Sequence, residues 1–328
     1  TLITGAQATR ILMDGKRATG IKYRQGDTTR TVKAAEVILA GGAYNSPQLL
    51  MLSGIGPAAH LSELEINVVQ DAAAVGGNLQ DHPAISLEYQ RTQTSEFMRN
   101  LRLDKLTINV ARAWLFNTGP ASQPVGFSTA FVKSREGLEI PDLQFFFRPY
   151  SRLARQWLPF VYPHAPDAVS ITACHLRPES RGEVRLRSTD PMAPVGFVNN
   201  FLSTEADREA MRQAFKISRD LVGQPSFDAI RGDETAPGSD VESDVDIDAF
   251  IRETAMTVFH PIGTCRMGSD PASVVDPEMR VRGIEGLRVV DASVMPDLVG
   301  GNINACVMMI AEKASDIIRG KTPLPVEA

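Results

Sequence analysis

The sequence predicts a two-domain chain mixing α/β and α+β architecture. Three observations carry that reading. A β-meander over residues 1–34 leads into a short, continuously apolar strand, a Gly-rich turn and a helix. The middle of the chain alternates β-like runs with helical segments, as a mainly antiparallel sheet with flanking helices would. The tail returns to strand, turn and helix. The 328 residues fit about two domains of roughly 150 residues.

The meander is read from its punctuation. Ala8 to Met13 is an apolar run and Asp14-Gly15 a hairpin turn. Thr19 to Arg24 alternates, Gln25-Gly26-Asp27 turns again, and Thr29 to Ala34 returns. Glu36 to Ala40 has the unbroken apolar character of a strand buried on both faces. In Gly41 to Pro47, Ser46 is a good N-cap and Pro47 suits the first helical position. The helix through Leu52 should stop at Ser53-Gly54. A buried strand feeding a Gly-rich turn and a helix N-terminus suits an anion or dinucleotide, which free N–H groups and the helix dipole favour. Strands are expected at Ala84–Gln90, Gly126–Val132, Asp142–Phe147, Ala168–Arg177 and Glu183–Arg187, with a hairpin connection at 178–182. Helices are expected at Asp104–Phe116, Thr204–Val222 after Ser203, and Asp244–Thr254 after Ser243. Leu287–Val290 reads as a strand, and Ile303–Arg319 as a helix ended by Gly320.

Composition excludes several classes. With 43% hydrophobic and 22% charged residues, the chain is neither disordered nor fibrous. A net charge of −5 does not advertise nucleic-acid binding. No apolar stretch approaches the ~18 residues of a membrane span, and no basic region precedes an apolar one, so neither a spanning helix nor a secretory leader is expected. Cys174, Cys265 and Cys306 are sparse and odd in number, which argues against a disulfide framework and for a reducing, cytoplasmic compartment. Peripheral attachment at the inner membrane stays compatible. No CxxC occurs, so no metal site is expected.

Four candidate sites stand out. Gly54-Ile55-Gly56-Pro57-Ala58-Ala59 matches a relaxed dinucleotide fingerprint but follows a helix and contains a Pro, so it reads as a helix-ending turn. His260 lies in a rigid irregular loop, extended by Pro261 and turned at Gly263; it is either a structural histidine or a general base. A metal role with Cys265 lacks further ligands. Asn302 and Asn304 open the last helix after Gly300-Gly301, where capping and close approach of a ligand can hold together. Asp291 ends a strand, as turn-forming Asp residues do. No G-x-S-x-G elbow supports a hydrolase. The aromatics of 145–162 serve either core packing or a substrate pocket.

The run Gly42-Ala43-Tyr44-Asn45-Ser46-Pro47-Gln48-Leu49-Leu50-Met51-Leu52-Ser53-Gly54-Ile55-Gly56 resembles the second signature of the glucose–methanol–choline (GMC) oxidoreductase family. Val75 to His82, Phe259 to Gly268 and Val289 to Asn304 resemble further motifs of that family, nearest its choline dehydrogenase and long-chain alcohol dehydrogenase branch. The resemblance implies an FAD-dependent enzyme that oxidises a small-molecule alcohol to an aldehyde or ketone. It implies His260 as the active-site histidine and Asn302 as the second active-site position. Asp291 and Ala292 would lie beside the FAD pyrophosphate, Ala8 on the adenine side, and Asn304 near the flavin pyrimidine ring. The implied layout is a partial FAD-binding domain (1–81), a substrate-binding domain (82–256), and a catalytic loop with closing strand and helix (257–328). Electrons would go to an undetermined acceptor, with an oxygen-using oxidase as the runner-up.

The sequence also departs from the family pattern. The chain opens Thr1-Leu2-Ile3-Thr4, already strand-like, and shows no N-terminal G-x-G-x-x-G turn after a strand. It is therefore expected to be the C-terminal part only, with the N-terminal nucleotide-binding segment absent and an incomplete Rossmann-like FAD-binding domain. Val37–Ala40 and Leu287–Val290 would then lack strand neighbours and expose apolar surface. The alternative function is a non-catalytic truncated fragment, or a subunit needing a partner chain to bind FAD. Arg148, Arg152 and Arg155 tilt the expected substrate away from choline toward a neutral or anionic alcohol.

Overall fold

The computed structural model describes residues 1–123 and 128–322. In chain order the first elements are β1 (Ala6–Asp14), β2 (Arg17–Gln25), β3 (Thr28–Lys33), β4 (Val37–Leu39), α1 (Gly42–Leu52), β5 (Ile55–Gly56), α2 (Ala58–Glu63) and β6 (Gln70–Asp71). Then come β7 (Pro83–Arg91), α3 (Glu96–Asn100), α4 (Leu103–Phe116), β8 (Ser128–Val132), β9 (Leu143–Arg148) and β10 (Ala168–His175). The remainder is β11 (Glu183–Arg185), β12 (Gly196–Val198), α5 (Glu205–Gly223), β13 (Arg231–Ala236), α6 (Asp244–Thr254), β14 (Met256–Thr257), β15 (Leu287–Val289) and α7 (Asn304–Ile318). Gly126 and Phe127, the start of one expected strand, lie outside the described residues.

The chain divides into two compact units: Thr1–His82 with Pro178–Ser203 and Phe259–Ala328, and Pro83–Arg177 with Thr204–Val258. The segment 178–203, which the sequence places in the 82–256 domain, clusters with the first unit.

In unit 1, β1, β2 and β3 form the expected antiparallel meander, with a bulge between Ala8 and Arg10. The meander carries on into β4, which pairs in parallel with β15, Val37 opposite Leu287 and Leu39 opposite Val289. These four side chains are buried in one core with Leu50 and Met51 of α1 and with Ile310 and Ala314 of α7. This corrects the expected incomplete Rossmann-like domain. The elements β1–β4 and α1 form a Rossmann-like arrangement with its own continuous core. Its physical basis is that β4 and β15 find each other across 250 residues, so neither loses its apolar cover; Ile38 alone of β4 stays substantially exposed.

Helix α1 also starts earlier than expected. Its N-cap is Gly41, with no side-chain cap, and Ser46 and Pro47 sit inside the helix. Pro47 has no N–H, so the Ala43 carbonyl four residues back loses its intrahelical donor. Thr264 Oγ1 replaces it, donating to Ala43 O at 2.6 Å. Both groups are buried. Thr264→Val should therefore lower stability by about 1–3 kcal/mol, the penalty for a buried carbonyl left unpaired, read as a shifted urea midpoint at unchanged m-value.

Unit 2 is an antiparallel sheet in the order β13-β7-β10-β9-β8, with β14 also on β7. Every residue of β10 is buried. Helix α5 buries Ala210, Met211, Ala214, Phe215, Ser218 and Val222, a 3–4 spacing that presents one stripe to the core. Its cap is Thr204, whose hydroxyl accepts from Asp207 N–H, whereas Ser243 caps α6 as expected. The aromatic run splits in role: Phe145 is core, and Phe160 and Tyr162 are exposed. Among the described residues no helix is long and apolar enough to cross a membrane.

Candidate active site

The loop carrying His260 is fixed from both sides within unit 1. On one side Gln80 and Ile262 exchange backbone hydrogen bonds of 3.1 and 2.9 Å. On the other, Cys265 N–H donates to Ser293 O at 2.9 Å and Met267 N–H to Val294 O at 2.8 Å. Gly263 has φ +92°, and a Cβ there would meet Asn78 O at 2.4 Å, so only glycine fits. Phe259 holds a left-handed φ of 65°, which a bulky side chain rarely adopts. Such strain marks a segment whose path is dictated by its surroundings.

These anchors bring His260 to His82. The two Nδ1 atoms lie 3.0 Å apart, with the rings edge to face. Asp81 Oδ1 accepts from both backbones, His82 N–H at 2.8 Å and His260 N–H at 3.0 Å. The far nitrogen of His82, Nε2, lies 3.1 Å from Val299 O. A carbonyl can only accept, so His82 Nε2 carries hydrogen. In the neutral ring its Nδ1 is then a lone pair, and the hydrogen between the rings belongs to His260 Nδ1. That leaves His260 Nε2 as the lone-pair nitrogen, which makes no hydrogen bond among the described residues.

Burial pushes the His260 pKa below its ordinary 6.5, while the Asp81 carboxylate pulls it upward and only partly offsets this. The ring is thus neutral at pH 7. In the unfolded chain it takes a proton near 6.5, and in the folded chain only at lower pH. The folded state binds fewer protons in that window, so this group's contribution to stability is full above 6.5. It falls as the pH drops from 6.5 through the folded value.

Asp291 lies at the other end of the same loop system. Its Oδ1 accepts from Ser293 N–H at 2.8 Å; its Oδ2 accepts from Gly42 N–H at 2.9 Å and Ser46 Oγ at 2.6 Å. The anion expected at the α1 N-terminus is therefore the chain's own buried carboxylate. Ser46, read from sequence as a cap, instead joins α1 to Asp291. Ala292 O faces Gly263 N–H at 3.4 Å. Ala8 lines a cavity of about 270 Å³ with Ile38, Ala40, Gly41, Asn45 and Ser46. Cys265 is fully buried; desolvation, then the Asp291 charge, hold its thiol protonated. Among the described residues no three His, Cys, Asp or Glu side chains gather to hold a metal.

Asn302 and Asn304 lie exposed at the start of α7. That helix has no side-chain cap and no acidic residue in its first turn. No hydrogen bond joins His260 to Asn302 among the described residues. Their segments are linked through His82, which touches His260 on one edge and Val299, three residues before Asn302, on the other. Sequence reasoning assigned His82 no role. The only signal was its place in the Val75 to His82 run, and its partner is 178 residues away.

Comparison with known proteins fits this geometry. Models of GMC oxidoreductase match residues 1–84 with the family's N-terminal part and 178–311 with its C-terminal part. The chain is 43% identical over 327 residues to an oxygen-dependent choline dehydrogenase of Brucella ovis, covering 97% of this chain and 58% of the relative. It is 41% identical over 329 residues to that of Pseudomonas entomophila, covering 99% and 57%. Its fold resembles pyridoxine 4-oxidase from Mesorbium loti (TM-score 0.82, 28% identity, 98% of this chain and 59% of the other). It also resembles a formate oxidase variant of Aspergillus oryzae RIB40 (TM-score 0.86, 28% identity, 96% and 60%). The chain spans about three fifths of the length of these relatives. The expectation that it is a C-terminal part only is overturned, because the family's N-terminal model matches from residue 1. With both family models matched and the His260, Asp291 and α7 segments assembled in one unit, the chain belongs to the GMC oxidoreductase family.

Proposed function

We propose that this chain oxidises an alcohol to an aldehyde or ketone with FAD as the hydride acceptor, and that His260 is the base. The observation that supports this most is the 3.0 Å contact between the Nδ1 atoms of His82 and His260, with His82 Nε2 at 3.1 Å from Val299 O, which leaves His260 Nε2 outside the pair. The names of the relatives above, choline dehydrogenases and oxidases, support the same chemistry.

The residues fit the cofactor. The α7 N-terminus, free of any side-chain cap or acidic residue, suits the negative charge a flavin ring gains on reduction. A Cβ at Gly301 would meet nothing within 4 Å, which leaves room for close approach. The cavity at Ala8 suits the adenine end. Asp291 pins Gly42 and Ser46, so Ala292 rather than this engaged carboxylate would face the pyrophosphate, since two anions would repel. When bound, FAD would supply the acceptor for the hydride of the carbinol carbon. His260 Nε2 takes the hydroxyl proton, a task that suits a base titrating somewhat below neutrality. The Asn302 amide would hold the alcohol oxygen and Asn304 would serve the flavin pyrimidine side, so that proton and hydride leave one carbinol group.

Unit 2 is the proposed substrate-binding domain. Arg148 is engaged by Thr172 Oγ1 and the Phe146 ring, and Arg152 by Met256 Sδ, so both have partners inside unit 2. These partners are neutral and leave both charges in place, and the substrate panel sets choline against neutral and anionic alcohols. The test is to load the chain with FAD, remove the excess, and add each alcohol without and with oxygen. Bleaching of retained flavin by an alcohol supports the reading; no retained flavin, or no bleaching by any alcohol, overturns it. Oxygen uptake separates an oxidase from a dehydrogenase. The rate of bleaching should rise with pH to a plateau, with its half-point below 6.5, as the His260 proton is lost.

A further inference from the structure

We infer that His82 is the second proton carrier of the site: as His260 Nε2 takes a proton from the substrate hydroxyl, His260 passes its Nδ1 proton to His82 Nδ1. This rests on the reading of His260 as base. The balance is simple. The substrate O–H bond breaks and an Nε2–H bond forms on His260. The His260 Nδ1–H bond breaks and an Nδ1–H bond forms on His82. His260 ends neutral with its hydrogen moved to Nε2. The positive charge ends on His82, which keeps its Nε2–H on Val299 O.

Three observations carry this. The Nδ1 atoms are at hydrogen-bond distance, 3.0 Å. His82 Nε2 lies 3.1 Å from Val299 O, which can only accept, so in the neutral ring the lone pair sits on the Nδ1 that faces His260. The His82 ring is fully buried, yet the residue before it, Asp81, holds a buried carboxylate. A buried imidazolium needs such a counter-charge. The titratable groups that feel Asp81 also include Tyr44 of α1, whose phenol is raised by burial and by that carboxylate; it stays neutral and leaves the negative charge to the histidines. A merely structural histidine would need neither the facing lone pair nor the adjacent carboxylate.

The test is nitrogen NMR of histidine-labelled protein without flavin; the chain has five histidines. At neutral pH the ring shifts should report hydrogen on His82 Nε2 and His260 Nδ1. On acidification the two rings should titrate as a coupled pair with two macroscopic steps. In His82→Gln the amide can still accept from His260 and donate to Val299, but it cannot take the proton; His260 should then titrate in one step. In flavin-loaded protein the solvent isotope effect should vary with deuterium content as two protons require for the native chain, and as one proton requires for His82→Gln, which should be about 10-fold slower or more. Independent titration of the two rings in the native protein overturns the relay, and that measurement stands even where His82→Gln does not fold. A slow His260→Gln beside a fully active His82→Gln also overturns the relay while leaving the base in place; a fully active His260→Gln overturns the base itself.

Discussion

Replacing His260 by Gln is expected to slow alcohol-dependent bleaching of bound flavin by about 10²-fold or more, the usual size of a general-base contribution. Gln preserves volume and can still donate toward His82, so the loop held by Gln80 and by 292–294 should keep its path. What is lost is a nitrogen able to take a proton near neutral pH. Flavin retention should be unchanged, because the proposed cofactor contacts lie at Ala8, Ala292 and the start of α7. Stopped-flow reduction together with the visible spectrum checks both parts. A native rate would remove His260 from the chemistry, whatever the family match.

The second large effect is expected at Asp291. Asp291→Ala strands three donors at once: Gly42 N–H, Ser46 Oγ and Ser293 N–H. A buried donor left unpaired costs about 1–3 kcal/mol; Ser46 and Ser293 are buried and Gly42 half-buried. Ser46 can turn its hydroxyl elsewhere, so the expected loss is about 3–5 kcal/mol, among the larger single-site effects. Asp291→Asn keeps the shape but presents an NH₂ to donors on one side, and should fall between Ala and the native chain. Urea unfolding followed by far-UV circular dichroism measures it. A loss below about 1 kcal/mol would mean that Asp291 is not the clamp its three hydrogen bonds describe.

The strands and helices were legible where local rules decide. The meander of β1–β3 is written in Asp14-Gly15 and Gln25-Gly26-Asp27, and α6 in Ser243 with its acidic first turn. Local rules fail where a distant residue satisfies a local need. Ser46 and Pro47 look like a helix start, but the helix passes through them because Asp291 and Thr264 supply the missing partners from over 200 residues away. The same holds for β4, whose neighbour is β15. In the site, His260 was visible from its Pro and Gly neighbours. His82 was not, because a histidine becomes a partner only through a contact that spacing cannot show.

The parallel pairing of β4 with β15 has a consequence for biosynthesis. Residues 37–39 leave the ribosome long before 287–289, and all of 83–177 and 204–258 is made in between. Closing so long a loop carries a high entropic penalty, and topologies dominated by such contacts fold slowly. The nascent chain must therefore carry β4 without its β15 partner, and the face of α1 that packs with it, while the residues between them are made. That interval is when chaperone engagement, or capture by another copy, has its opening.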